Sequence, residues 1–194
     1  MKPINRRLQA EKMVLARRAS TFLVTMVPWV RAVGLTGSVA RGDVSEDDDL
    51  DFCIITAKNR VWTTRLWCYI WATLLRKKRG KNRERDRWCL NMFLDETALV
   101  VPVSKRDSFG RAQMGRLVVL QDEKQLLAAA RAQNAAWMQG QPQAEVAIEP
   151  VVARNLGDIA EIFCRWAQMA YMRRKMTREL VNERQIFFHP LKRV

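Results

Sequence analysis

The sequence is poor in the residues from which many functional sites are built. It has one histidine, His189, in a tail reading Phe187-Phe188-His189-Pro190, where nothing assigns it a part in chemistry. Its four cysteines, Cys53, Cys68, Cys89 and Cys164, lack metal-like spacing. Each falls in an apolar stretch, so they read as small buried hydrophobes in a reducing compartment. No apolar run reaches the ~20 uninterrupted residues that span a bilayer. The longest, Phe22 to Ala40 and Val61 to Leu75, are broken by Arg31 and Arg65. The first twenty residues are charged throughout and lack an apolar core before a small-residue cleavage site, so no signal peptide is expected and the cytoplasm is the expected location. Internal repeats and low-complexity segments are absent. Acids are also scarce: 20 Asp and Glu stand against 34 Lys and Arg, a formal net charge of +14.

What is present points to a folded chain. A hydrophobic fraction of 48% and seven tryptophans are enough for a core, and 194 residues suit one well-cored domain with an appendage. The few acids are not dispersed. Six of them, with no base between, lie in Asp43 to Asp51, so the positive charge is concentrated elsewhere. A surface of that kind draws in nucleoside triphosphates, nucleic acid, an acidic protein or an anionic membrane face.

The most informative stretch is Gly37 to Ile55, GSVARGDVSEDDDLDFCII. Asp49-Leu50-Asp51-Phe52 alternates acid and apolar residues and runs into Cys53-Ile54-Ile55, the pattern of a strand. Successive side chains of a strand point to opposite faces, so Asp49 and Asp51 share one face while Leu50, Phe52 and Ile54 fill the other. Two adjacent carboxylates repel each other unless a cation lies between them, a geometry suited to Mg²⁺, with Mn²⁺ as the alternative. Upstream, Val33-Gly34-Leu35-Thr36 reads as the end of a buried strand. Gly37-Ser38 then lets the backbone approach an anion, so that its amides are candidates to hold phosphate.

At these residues the chain resembles the DNA polymerase β-like nucleotidyltransferase superfamily, whose signature is Gly-Ser, a spacer of about ten residues, then Asp-apolar-Asp-apolar on a strand. The run Leu35 to Asp43 with Asp47 to Thr56 looks most like small, stand-alone bacterial nucleotidyltransferase-domain proteins. The resemblance covers Val30 to roughly Leu94. It implies an α/β (α+β) fold, a mixed sheet with flanking helices, and Mg²⁺-dependent transfer of a nucleoside monophosphate from a triphosphate such as ATP to an acceptor hydroxyl. It also implies that Gly37 and Ser38 hold the triphosphate and that Asp49 and Asp51 hold the metal. Arg41 is close enough in sequence to reach a phosphate or to pair with the acidic loop.

The family usually carries a third carboxylate on the next strand, here Trp88 to Leu94. Its inward position is Asn91, whose carbonyl oxygen can coordinate a metal but which cannot accept a proton at neutral pH. Asp95, at the end of that strand, is the candidate substitute, or else a turn or helix cap.

The remaining elements follow from periodicity. A helix is expected over Asn5 to Val27, with Leu15, Ala19, Phe22 and Met26 on one face, Pro28 as its stop, and Arg6, Arg7, Lys12, Arg17 and Arg18 on a basic face that is solvated or meets a polyanion. A second helix runs from about Val61 to Lys78 with Trp62, Leu66, Tyr69, Ile70 and Leu74 as its stripe. Arg76 to Arg87, with eight bases and two acids, reads as an exposed connection turning at Gly80. It is either solvated or a guide for a negatively charged substrate. A turn and short helix (Pro102 to Gly115), a strand (Arg116 to Gln121) and a helix capped by Asp122 come next. Gly140 to Pro150 is the boundary between residues 1–140 and a helical extension, 141–194. A long helix over Val151 to Arg184 carries Ile159, Phe163, Trp166 and Ala170 on one face. By resemblance it is the other wall of the cleft and selects the acceptor; otherwise it is packed for stability or dimerisation.

Two functions thus stand open: nucleotidyl transfer to an unidentified acceptor, with a macromolecule (nucleic acid or protein) favoured, or a catalytically weak or inactive module that binds nucleotide or polyanion. A peripheral membrane role is a third. The oligomeric state is open.

Overall fold

The structure is a computed structural model that describes residues 6–80, 84–173, 176 and 179–187. Its first helix, α1 (Arg6–Met26), stops just before Pro28 and turns one face inward through Ala16, Ala19 and Leu23. Strand β1 (Val30–Thr36) leads through the short α2 (Gly37–Arg41) into β2 (Leu50–Thr56), with which it pairs antiparallel. Helix α3 (Val61–Leu74) then crosses over, so that β3 (Trp88–Asp95) lies parallel to β2. A further helix α4 (Ser108–Gly115) precedes β4 (Val118–Gln121), which pairs antiparallel with β1. Helices α5 (Leu126–Gln133), α6 (Ala135–Met138) and α7 (Leu156–Met172) and the short strands β5 (Leu180–Val181) and β6 (Gln185–Phe187) complete the described chain. The six-stranded mixed sheet has the order β4-β1-β2-β3-β6-β5. The fold is therefore mixed α/β, as expected.

The three central strands are almost continuously apolar because both sheet faces are covered. Phe52 and Ile54 pack on one face with Leu23 of α1 and Trp62 of α3. Cys53, Ile55, Met92 and Leu94 pack on the other with Met114, Leu127 and Trp137. Asp122 caps α5 as expected, accepting from the amides of Leu126 (2.7 Å) and Leu127 (2.9 Å).

Three expectations need correction. The helix expected to continue to Arg184 ends at Met172, and the chain returns to the sheet as a hairpin in which β6 pairs antiparallel with β3. The reversal is built on Asn182, whose side-chain oxygen accepts from the amides of Arg184 (2.9 Å) and Gln185 (2.7 Å), a local turn that competes with helix. The coil before α7 is tied to the body, for example by Arg184 Nε donating to the Glu149 carbonyl at 2.7 Å, and the residues beyond it share the central sheet.

Secondly, α7 turns its polar side inward. Asp158 pairs with Arg60 at 2.9 Å, and Glu161 caps the start of α3, accepting from Trp62 N (2.7 Å), Thr63 N (2.8 Å) and Thr63 Oγ1 (2.7 Å). Ile159, Phe163, Trp166 and Ala170 are left facing solvent. The helix lies against α3, on the opposite sheet face from α4, and so is not the second wall of a cleft beside α4.

Thirdly, α3 buries Val61, Arg65, Cys68 and Ala72 together with Trp62, while Ile70 and Leu74 are exposed. Small residues at 68 and 72 let the helix sit close to the sheet, which rotates the larger side chains outward. No helix among the described residues is long and apolar enough to cross a membrane.

Candidate active site

The site forms where β1 ends and β2 begins. Thr36 faces Asp51 across the antiparallel pair, and the backbone leaves β1 through Gly37 at φ +73°. That left-handed conformation suits glycine alone here, because a Cβ at this position would lie 1.9 Å from Asp51 Oδ2. The elbow and the carboxylate are thus in direct contact. The Gly37 amide donates to Gln113 Oε1 of α4 at 3.0 Å, so the phosphate donor expected at this position already has a partner. Helix α2 closes on Gly42, also left-handed at φ +86°.

The acidic loop after α2 is held from below by Lys12. Expected on a solvated face, Lys12 is 1% exposed and its Nζ donates to the carbonyls of Glu46 (2.9 Å) and Asp48 (2.7 Å) and to Asp86 Oδ1 (2.9 Å). One buried cation therefore ties α1 to both chain segments that approach the paired acids. Burial works to raise the Asp48 carboxyl, but hydrogen bonds from Ser38 and Ser45 and the nearby Lys12 charge hold it below its ordinary value. Arg41 pairs with Asp43 at 3.2 Å, so the acidic loop has this side chain, although its charge also acts favourably on ionised Asp51.

Asp49 and Asp51 lie on one strand face, and the ligand atoms of Asp49, Asp51 and Cys89 fall within 4.8 Å of one another. Burial and the neighbouring Asp51 charge push the Asp49 carboxyl up to about 6, against the opposing pull of Arg79. Asp51 is also raised, chiefly by burial. Arg79, from the basic connection expected to be wholly exposed, reaches into the site: its Nε is 3.0 Å from Asp49 Oδ2 and its Nη1 3.3 Å from Cys89 Sγ. Asn91 Nδ2 donates to Asp51 Oδ1 at 3.1 Å. Asn91 Oδ1 and Asp49 Oδ2 are buried oxygens that accept no hydrogen bond among the described residues. For Asp49 the Arg79 contact is an ion pair without hydrogen-bond alignment.

These oxygens fit a hard divalent cation. Two carboxylates repelling each other and a carbonyl oxygen without a donor are what such an ion would satisfy, and the donor set is oxygen-rich. The Cys89 thiol is held well above its usual range by burial and by both aspartates, so it stays protonated and is a poor ligand for such an ion.

Among the sequence candidates, Gly37, Ser38, Arg41, Asp49, Asp51 and Asn91 lie around this one place. Asp95 does not. It sits at the far end of β3, opposite Thr56 rather than Asp51, and its carboxylate accepts from the amides of Asn59 (2.6 Å) and Thr97 (2.8 Å) and the Thr97 hydroxyl (2.6 Å). It is a turn cap, and its placement four residues after Asn91 is the reason. His189 and residues 81–83 of the basic connection lie outside the described residues. Sequence reasoning missed Lys12, Arg79, Cys89 and Gln113. Cys89 carried a signal, since it is two residues before Asn91 on the same strand and so shares its face; Arg79 lay in a basic run that did not single it out, and Lys12 and Gln113 are brought in from distant elements and carried none.

A comparison with curated proteins finds no match. A comparison with family models gives a match to the nucleotidyltransferase domain over residues 16–127, more than half of the 194 residues and spanning β1 to β4 with every one of the grouped site residues but Lys12. An elbow glycine against paired strand carboxylates, in a domain of that match, makes this chain a member of the nucleotidyltransferase domain family, consistent with the DNA polymerase β-like superfamily.

Proposed function

We propose that the protein transfers a nucleoside monophosphate from a triphosphate to a hydroxyl of a macromolecular acceptor, with Mg²⁺ or Mn²⁺ held by Asp49, Asp51 and Asn91. The observation that carries this reading is the grouping of two pKa-raised carboxylates against the Gly37 elbow, with Asn91 bonded to one of them. When bound, the divalent ion would neutralise triphosphate charge and stabilise the attacking and leaving oxygens. Gly37 lets the backbone pass directly against the Asp51 carboxylate, and Ser38 and Arg41 follow it on α2. Arg79 supplies a cation that balances Asp49 in the absence of ligand and is positioned to meet a phosphate when Asp49 turns to a metal. The net charge of +14 favours a polyanionic acceptor.

A second reading has specific support. Asn91 cannot take a proton from an attacking hydroxyl, and Arg79 already neutralises Asp49, so the same groove is also suited to binding nucleotide without turnover. Incubation with labelled ATP, CTP, GTP or UTP and Mg²⁺ or Mn²⁺, in the presence of RNA or of protein acceptors, separates the two. Label transfer with pyrophosphate release, lost in Asp49→Ala/Asp51→Ala, supports transfer. Saturable nucleotide binding without release in any arm supports the binding module, and activity unchanged in the double variant removes the site from either role.

A further inference from the structure

The outer face of α7 is an anomaly on so basic a protein. Every exposed position of the helix carries an apolar or aromatic side chain and none carries a charge; Leu156 is 84%, Phe163 64% and Trp166 68% exposed. The charged residues of the helix are used by the body instead: Asp158 by Arg60, Glu161 by the start of α3, and Arg165 by Glu183 at 2.6 Å. This arrangement reverses the ordinary one, in which a surface helix turns its charges to water.

We propose that a second copy of this chain covers that face, through antiparallel packing of α7 on α7. Four observations carry the choice of occupant. The first is spacing: Leu156, Ile159, Phe163, Trp166 and Ala170 follow one another at intervals of three and four, the seam along which one helix packs on another at a shallow angle. The second is area. The exposed aromatic and aliphatic side chains of this one helix present on the order of 600–800 Å² of apolar surface, at or above the largest patch of an ordinary monomer and close to what each partner of a standard interface buries. The third is charge. Two chains of +14 repel, so a stable contact between copies has to exclude charge, and this face does.

The fourth is orientation. Arg173, exposed, directly follows the last residue of α7. Parallel helices would set the two copies of this cation side by side, whereas antiparallel helices separate them and oppose their dipoles favourably. Antiparallel packing along the seam sets Ile159 against the partner's Ala170 and Phe163 against the partner's Trp166. Large side chains then meet small ones at the ends and the aromatic residues meet at the centre. Phe163 and Trp166 are already in contact within one helix, with ring centroids 6.2 Å apart.

Sedimentation equilibrium of the full chain across a concentration series tests this. The expected species has twice the 22.6 kDa chain mass, and its dissociation is suppressed rather than promoted by added salt, because salt screens the repulsion between like-charged copies. Phe163→Glu is expected to weaken association by at least a hundredfold. Its thermal transition should remain cooperative, since the side chain is exposed in one copy. Ile159→Lys and Ala170→Glu are each expected to be monomeric alone and to form a dimer when mixed, because only an antiparallel pair brings those two positions together. A monomeric wild type overturns the proposal, including one that sediments with anionic vesicles and so uses the face on a membrane. So does a dimer unaffected by Phe163→Glu, or a mixture of the two charged variants that stays monomeric.

Discussion

Gly37→Ala is the substitution for which the coordinates give the sharpest expectation. At φ +73° an L side chain costs about 1–2 kcal/mol in any surroundings. The new methyl carbon would also lie 1.9 Å from Asp51 Oδ2 and 2.8 Å from Asp51 Cγ, so the carboxylate has to swing away by more than an ångström. Its Oδ1 is bonded to Asn91 Nδ2 at 3.1 Å, and losing a hydrogen bond to a charged group adds about 1.5–3 kcal/mol. A total near 3–4 kcal/mol would lower the melting temperature by about 6–15 °C for a chain of this size. Gly42→Ala is the internal control, because Gly42 shares the left-handed backbone at φ +86° but its nearest neighbour, Gln9, is 3.5 Å from the added carbon. Thermal melts of both variants with and without Mn²⁺ check the reasoning. Gly37→Ala should lose both stability and the metal-induced rise, while Gly42→Ala should lose only the backbone share and keep its response to the ion. If the two variants behave alike, contact between the elbow and Asp51 does not shape the site.

Lys12→Met removes a buried cation with three acceptors, leaving the carbonyls of Glu46 and Asp48 without this donor and Asp86 with only the longer Arg85 contact at 3.8 Å. A loss of about 3 kcal/mol is expected from the denaturant midpoint, together with faster amide exchange at residues 45–49. Burial and the Asp51 charge push the Asp49 carboxyl up to about 6 from an ordinary value of 3.8, so between those pH values the folded chain holds more protons than the unfolded one. Its contribution therefore falls as pH rises through that window, by up to about 3 kcal/mol, and the difference in stability between wild type and Asp49→Asn at pH 4 and pH 7 measures it. Asn91→Asp places a third carboxylate beside Asp51. It should lower the melting temperature of the metal-free protein and raise affinity for Mn²⁺ by about tenfold, ~1.4 kcal/mol, in a calorimetric titration.

Much of this was legible in the chain itself, for physical reasons that differ from element to element. The β1, β2 and β3 strands announce themselves because buried strands are apolar throughout, and the alternation in Asp49 to Ile54 places both carboxylates on one face before any coordinate is known. The left-handed elbow is readable from a glycine between a strand and a polar spacer. Contacts made over long sequence distances were not readable. Lys12 is separated from Asp86 by 74 residues, and Gln113 from Gly37 by 76, and periodicity on α1 or α4 says nothing of such partners. The basic run at 76–87 reads as solvated or as a guide for an anion, and neither reading singles out Arg79, which enters the site because the paired acids attract one cation from the run. The C-terminal part was misread for two reasons. Asn182 forms a turn inside what reads as helix, and the apolar stripe of α7 does not by itself say whether it meets a cleft, its own chain or a second copy.

The proposed metal site is tested most directly by titrating Mn²⁺ into the nucleotide-free protein and repeating the titration with Asp49→Ala/Asp51→Ala. The paired carboxylates are expected to give saturable binding in the wild type and none in the double variant. That variant should still melt cooperatively, because relief of two crowded carboxylates offsets the lost contacts to Asn91 and Arg79. Equal Mn²⁺ binding by both proteins, with the variant folded, would contradict the assignment.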